Sequence, residues 1–319
     1  MNAVKAIIFT LLMLMTSLAG CLDGPGRIGG QGDTSEEDLA LPAWEVGDFW
    51  LYSFQTPQFG EDSARLVVAE VNEDEQQYML GISSDRESKR HAVINHNPFL
   101  GRVTFDGLSV FENGEPQPVF NFPWEKGSEW QFTLLGQEWT AEVENIYNGK
   151  ITVQASSSES HSLSYTFSGA AGFISELVWA NENGAEQLRM SLAQNGNGHT
   201  GDVYFHRATD LKDSYYESSD SDVYDSFFDS GHPSGADFDQ LVWYLDVEIS
   251  QGGSGSLTMK DHAGASPLTR YWGSGAEEDG TIGTIPSNSN EYSLTITLRG
   301  QESFIHLKVA GVITHEWTL

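Results

Sequence analysis

Two stretches decide the fold: Trp44-Glu45-Val46-Gly47-Asp48-Phe49-Trp50-Leu51-Tyr52-Ser53-Phe54 and Trp124-Glu125-Lys126-Gly127-Ser128-Glu129-Trp130-Gln131-Phe132-Thr133-Leu134. They share the frame W-E-x-G-x-x-W-x-aromatic-[ST]-apolar, eighty residues apart, with Pro42 and Pro123 just upstream. The frame reads as a strand-entry device. The proline and first tryptophan fix the approach, the glycine makes the turn, and alternate aromatic residues enter a core. Trp50, Tyr52 and Phe54 then lie on one face of a strand, and Phe49, Leu51 and Ser53 on the other. Two copies predict two similar β halves within one domain. A repeat array would need more copies.

The two-residue alternation recurs at 66–71, 78–82, 103–105, 130–134, 139–143, 151–153, 163–167 and 173–179, and each reads as a strand. Asn-Gly pairs punctuate it at 113–114, 148–149, 183–184, 195–196 and 197–198. This dipeptide supplies the positive φ values of a type I′ hairpin. Leu188, Met190 and Leu192 alternate, so 187–193 reads as a strand, with a short helix over 186–193 as the other reading. Strands resume at 241–249, 256–259, 292–298, 304–309 and 312–319, with Gly252-Gly253 and Gly300-Gln301 at turns. No long stretch carries a 3.6-residue stripe. The predicted class is all-β: an antiparallel meander or sandwich domain with an internal two-fold echo, followed by a smaller β-sandwich.

The start of the chain has a different character. Lys5 is its one charge, residues 6–15 are apolar except for Thr10, and small residues lead up to Cys21. The apolar run is too short to span a bilayer, which takes about 20 residues. It has the three-part form of a secretory leader. Leu18-Ala19-Gly20-Cys21 closely resembles the lipobox of bacterial and archaeal lipoproteins. The resemblance implies cleavage before Cys21, a diacylglycerol on its sulfur, and a place on the extracytoplasmic face of the cell membrane. Cys21 is the only cysteine, so internal disulfides and cysteine-based zinc or iron–sulfur sites are excluded. The Gly- and acid-rich stretch 22–40 makes a flexible tether, with a reach of roughly 25 Å for about 19 residues. Gly24 to Gly29 matches G-x-G-x-x-G, but no strand precedes it and no helix follows, so it fails as a dinucleotide motif. The expected organisation is a signal peptide over 1–20, lipidated Cys21 and tether over 21–40, β domain 1 over 41–207, an acidic connector over 208–239, and a β-sandwich over 240–319.

The 319 residues hold 46 Asp and Glu against 16 Lys and Arg, a net charge of −30. Such a surface repels phosphate backbones and anionic headgroups, which excludes nucleic acid as a partner. The acids are spread through both domains. With its Trp/Gly frames, the acid-rich, lysine-poor body resembles uncharacterised acidic exported lipoproteins of marine or halophilic archaea. That resemblance implies salty surroundings and no particular activity.

Candidate chemistry is sparse. G-x-S-x-G, H-E-x-x-H, P-loop and S-x-x-K/K-T-G motifs are all missing from the sequence. His91 and His96 are five apart; on a strand that spacing puts them on opposite faces, where they cannot share a metal. Asp220, Asp222, Asp225 and Asp229 offer oxygen ligands to calcium, without the Gly and terminal Glu of an EF-hand loop. Arg270, Tyr271 and Trp272 lie beside a Gly-rich loop, where an exposed Tyr-Trp pair would stack a sugar ring or anchor a protein partner. The expected function is a lipid-anchored, non-catalytic binding or interaction module, held to the membrane through Cys21. It takes a glycan or protein ligand and needs no cofactor beyond possible calcium. Two other classes stay open: an extracellular glycan-active hydrolase using paired carboxylates, and a lipid or lipoprotein carrier with a concave β-sheet.

Overall fold

The computed structural model describes residues 39–229, 237–283 and 291–319, all within one compact unit, Thr34–Leu319. The leader, the lipobox with Cys21 and nearly all of the tether lie outside these residues. The echo is visible hydrogen bond by hydrogen bond. Gly47 and Gly127 both take positive φ, at 91° and 79°. The Gly47 N–H donates to Val68 O at 2.9 Å, and the Gly127 N–H donates to Val143 O at 2.9 Å. The N–H of Asp48 closes a turn on Glu45 O at 3.0 Å, and that of Ser128 on Glu125 O at 3.1 Å. Each frame opens a meander. β1 (Phe49–Thr56), β2 (Gly60–Asn72) and β3 (Gln77–Ile82) form the first; β7 (Glu129–Leu134), β8 (Gln137–Tyr147) and β9 (Lys150–Ser157) form the second. The register slips by one residue at the same place in both, between Val68 and Glu70 and between Val143 and Asn145. A bulge there bends both middle strands alike.

β4 (Gly101–Thr104), β5 (Val110–Glu112) and β6 (Glu115–Gln117) branch from β3. β10 (Ser162–Ser168), β11 (Phe173–Ala180) and β12 (Glu186–Gly196) carry the sheet from β9 back to β1. Next to β6, Gln117 Oε1 accepts from the Thr133 N–H at 2.7 Å, and Pro118 O accepts from Trp130 Nε1 at 2.9 Å. The β4–β6 branch therefore curls round until its tip lies beside β7, one end of the main path. The inner face of the sheet is filled by the chain's own side chains, including Tyr52, Phe54, Trp139, Tyr165, Phe167 and Phe173, with Phe99 and Phe120 supplied by loops. Two of the Asn-Gly pairs, 113–114 and 148–149, have positive φ at both residues, as type I′ turns require. Asn195-Gly196 instead ends β12, where a Cβ on Gly196 would lie 2.9 Å from the Phe49 ring.

The stretch 208–239 is not a solvated connector over most of its described part. β13 (Asp202–Glu217) runs across residue 207 and pairs along its whole length with β20 (Phe304–Thr318), and β14 (Val223–Phe228) follows. β13 hydrogen-bonds to the strands of the first half only at Tyr204 opposite Ile82, while Val203 packs on Val67 and Ala69. Gly81 makes this approach possible, since a Cβ there would sit 2.7 Å from Val203 Cγ1 and 2.8 Å from Tyr204 O. A strand paired on one side over most of its length can keep its acids wet, and the charge protects its open edge.

β15 (Gln240–Glu248) and β18 (Ala276–Ile282) extend the main sheet beyond β20, while β14, β16 (Ser254–Lys260), β17 (Leu268–Trp272) and β19 (Glu291–Arg299) form a four-stranded sheet. All strand pairs are antiparallel. Trp243, Leu245, Leu307 and Val309 pack against Leu257, Leu294 and Ile296, making the expected smaller sandwich. The other face of β15 and β20, with Val242, Tyr244, Ala310 and Val312, packs on Ala92, Val93 and Ile94 of a helix. That helix, α1 (Asp85–Ile94), joins β3 to β4, where the sequence pattern predicts no strand and no helix.

Candidate functional site

α1 forms because its ends are specified locally. Ser84 is the N-cap, its side chain accepting from the Glu87 N–H, and Asp85 and Glu87 lie in the first turn. Acids there favour the positive end of the helix dipole. Lys89 bonds Asp85 one turn back at 2.7 Å. Asn95 ends the helix in the left-handed region, at φ 56° and ψ 46°, with its N–H on His91 O at 2.8 Å. That reversal folds His96 back over His91. Their ring centroids lie 4.5 Å apart, and Phe54 meets both edge-on, at 4.8 and 5.1 Å. The expectation that the two histidines point apart is overturned: it assumed a strand, and the chain is a helix ending in a tight turn.

Asp62 of β2 completes the cluster. His91 Nε2 lies 3.5 Å from Asp62 Oδ2. The ligand atoms of Asp62, His91 and His96 lie within 4.8 Å of one another, and among the described residues they are the one such convergent group of His, Cys, Asp or Glu. Burial, with help from the nearby Arg90 charge, pushes His91 down to about 3. Burial also holds His96 well below the ordinary imidazole value, followed by the neighbouring His91. Both rings are therefore neutral at pH 7 and hold lone pairs free for a ligand.

Arg90 ties this cluster to the second half. Its Nε donates to Asp62 Oδ2 at 2.9 Å, an NH2 group pairs with Glu277, and NH1 lies 3.8 Å from Asp279. The guanidinium also sits 5.0 Å over the Tyr244 ring. Arg86 grips Asp279 through two bonds of 3.1 and 2.7 Å. A cavity of about 170 Å³ between α1 and β18 is lined by Arg86, Lys89, Trp243 and Asp279.

His206 of β13 lies under the same helix and is fully buried at its side chain. Ser88 Oγ donates to Tyr204 O at 3.1 Å, so the 2.8 Å contact with His206 Nδ1 makes that nitrogen the donor. Burial lowers His206 to about 4; Asp85 and Asp239 oppose this, and Lys89 and His315 add to it. The unfolded chain takes up this proton near pH 6.5, and the folded chain only near 4. The contribution is complete above pH 6.5 and is lost as pH falls toward 4, amounting to about 3 kcal/mol. Urea unfolding at pH 7, 5.5 and 4.5 is expected to show this loss, and His206→Asn to flatten its share of the slope. An unchanged slope in the variant would refute the assignment.

A second feature lies on the outer face of β12, β1 and β2. Cross-strand pairing aligns Arg189, Gln55 and Glu61 in one row and Ser191, Ser53 and Ser63 in the next. These six polar residues line an open cleft of about 500 Å³.

The residues singled out in the sequence are placed differently. Trp272 is buried and donates from Nε1 to Glu278 Oε1 at 2.7 Å, while Arg270 Nε bonds the other Glu278 oxygen at 2.6 Å. Tyr271, next along the strand, is 78 % exposed. The exposed Tyr-Trp pair does not form, because adjacent strand residues face opposite ways. The four connector carboxylates do not converge either. Asp220 is exposed in a loop, Asp222 bonds Arg299 and Thr297, Asp225 bonds Lys212 and Tyr216, and Asp229 is buried. Burial alone would raise Asp225, but its bonds to Lys212 and Tyr216 outweigh it and hold the carboxyl below its usual value. The Asp62 cluster had one signal in the sequence, the capping pair Ser84…Glu87, which marks a helix start.

No family model matches the chain, and no curated protein does. Among solved structures, an exo-β-1,3-galactanase from Phanerochaete chrysosporium is 10% identical, over 81% of this chain and 68% of that one, at a TM-score of 0.20. MucB in complex with MucA(peri) is 8% identical, over 82% and 90%, at 0.24. The insecticidal delta-endotoxin Cry8Ea1 from Bacillus thuringiensis is 8% identical, over 91% and 58%, at 0.23. Scores this low carry no argument about fold or activity.

Proposed function

We propose that the chain is a lipid-anchored binding module on the extracytoplasmic face of the cell membrane, held through Cys21 and acting without catalysis. Its folded body presents the polar strip on β12, β1 and β2 to a hydrogen-bonding ligand, a glycan by chemistry. The observation that carries this reading is the strip itself. Hydroxyls, an amide, a carboxylate and a guanidinium are held in two rows on rigid strands, where loss of side-chain freedom on binding is small. The acidity of the body, −30 over the chain, suits a salt-rich exterior and keeps the module soluble.

The test has two arms. Cys21→Ser is expected to move the protein from the membrane fraction to the soluble one, since stable anchoring takes two acyl chains. Continued membrane association would sink the anchor. A glycan array probed with the full chain is expected to give a set of binders that Arg189→Ala and Gln55→Ala abolish. Binding to peptides alone would replace the ligand class, and glycan binding indifferent to both variants would remove the strip.

A further inference from the structure

We infer that Asp62, His91 and His96 form a site for a single divalent transition metal of the zinc class. The first ground is unmet hydrogen bonding. His91 Nδ1 and Nε2 and His96 Nδ1 are buried and have no hydrogen-bond partner. A neutral imidazole carries one N–H and one acceptor, and a buried ring normally satisfies at least one of them. His91, only 1 % exposed, satisfies neither. A metal accounts for the lone pair, and no group among the described residues does so.

Spacing is the second ground. His91 Nε2 and Asp62 Oδ2 are 3.5 Å apart, too far for a good hydrogen bond. Two ligands at about 2.0–2.1 Å on a tetrahedral metal sit about 3.4 Å apart. The third ligand atom lies within 4.8 Å of these and needs a shift of about 1.5 Å, within reach of a side-chain rotation at the turn. Donor chemistry is the third ground. Two imidazoles and one carboxylate suit zinc and its neighbours, whereas calcium takes six to eight oxygens.

The surroundings orient this set. Arg90 donates to Asp62 Oδ2, and the Ser63 N–H donates to Oδ1 at 2.8 Å, so the carboxylate is fixed while each oxygen keeps a lone pair. The Arg90 charge is shared among Asp62, Glu277 and the more distant Asp279, so it neutralises Asp62 only in part. The Asp62 side chain is 15 % exposed, giving an ion its entry and a water its place as fourth ligand. The site uses neither the lipid anchor nor the six residues of the polar strip, although Asp62 also borders that cleft.

The experiment uses the full chain stripped with EDTA. Zinc titration by calorimetry is expected to show one tight equivalent, and the melting temperature is expected to rise with zinc concentration. Cobalt is expected to give the visible bands of a four-coordinate site with nitrogen ligands. Loss of groups that merely orient a ligand costs about 10- to 100-fold in affinity, so Asp62→Asn and His96→Gln are each expected to weaken zinc by at least about 100-fold. Absence of a tight equivalent overturns the site, as does zinc uptake unchanged in both variants, which would place the ion on surface acids. Equal stoichiometric uptake of calcium overturns it too. The cobalt spectrum of the unaltered chain decides the matter if a variant does not fold.

Discussion

Arg90→Ala is expected to cost about 3 kcal/mol and to lower the melting temperature by about 6–10 °C. The guanidinium is the one group touching Asp62 of the first half and Glu277 and Asp279 of the second. Removing it leaves Asp62 and Glu277 without their shared counter-ion, while Asp279 keeps Arg86. Breaking a buried pair from one side costs about 3–5 kcal/mol. The partial exposure of Glu277, 45 % at its side chain, sets the expectation at the lower end. Arg90→Lys should recover less than half, because a point charge cannot bond two carboxylates and lie over the Tyr244 ring together. Equilibrium urea unfolding of the three proteins measures this. A loss under about 1 kcal/mol for the alanine variant would show that the Arg90 ion pairs contribute little to docking α1.

Trp44→Ala and Trp124→Ala are expected to differ by about 2 kcal/mol although the residues hold the same place in the two frames. Trp44 is 5 % exposed, its Nε1 donates to Gly172 O at 3.1 Å, and its ring lies about 5 Å from Trp50, Tyr78 and Phe173. Trp124 is only partly buried, its Nε1 has no partner, and its nearest rings are Phe122 at 4.9 Å and Phe167 at 5.6 Å. The first variant should lose about 3–5 kcal/mol, near the usual cost of deleting a buried tryptophan. The second should lose about 1–2 kcal/mol, since less surface is uncovered and no bond is broken. Equal losses in a denaturant series would mean that the frame matters as a turn and its tryptophans do not.

The frame was legible because each of its residues has a local job. A glycine at positive φ and aromatics at every second position announce the same strand entry wherever they occur. Helix α1 was hidden because its apolar residues, Ala92, Val93 and Ile94, are bunched in its last turn and show no stripe. The His91–His96 contact was hidden for the same reason, with the added need to foresee the left-handed Asn95. Acidity disguised β13, since pattern reading equates dense charge with solvent. There one long neighbour, β20, suffices to hold the strand and its acids stay at the surface. Trp272 was read as exposed from its Gly-rich neighbourhood; parity along β17 sends it inward and leaves Tyr271 outside. Nothing local in the sequence could bring Asp62 to the histidines, because that contact depends on a helix packing across a strand from another part of the chain.

The strand order bears on the birth of the molecule. β1 needs β12 for its second neighbour, about 140 residues later, and β13 waits for β20, about 100 residues further on. While the chain is being made, the open side of β1 stays unpaired until residue 196 has emerged, and that of β13 until the last strand arrives. Long-range closure of this kind folds slowly and leaves sticky edges bare in the interval. The four acids of β13, against its two bases, disfavour pairing of that bare edge between nascent chains.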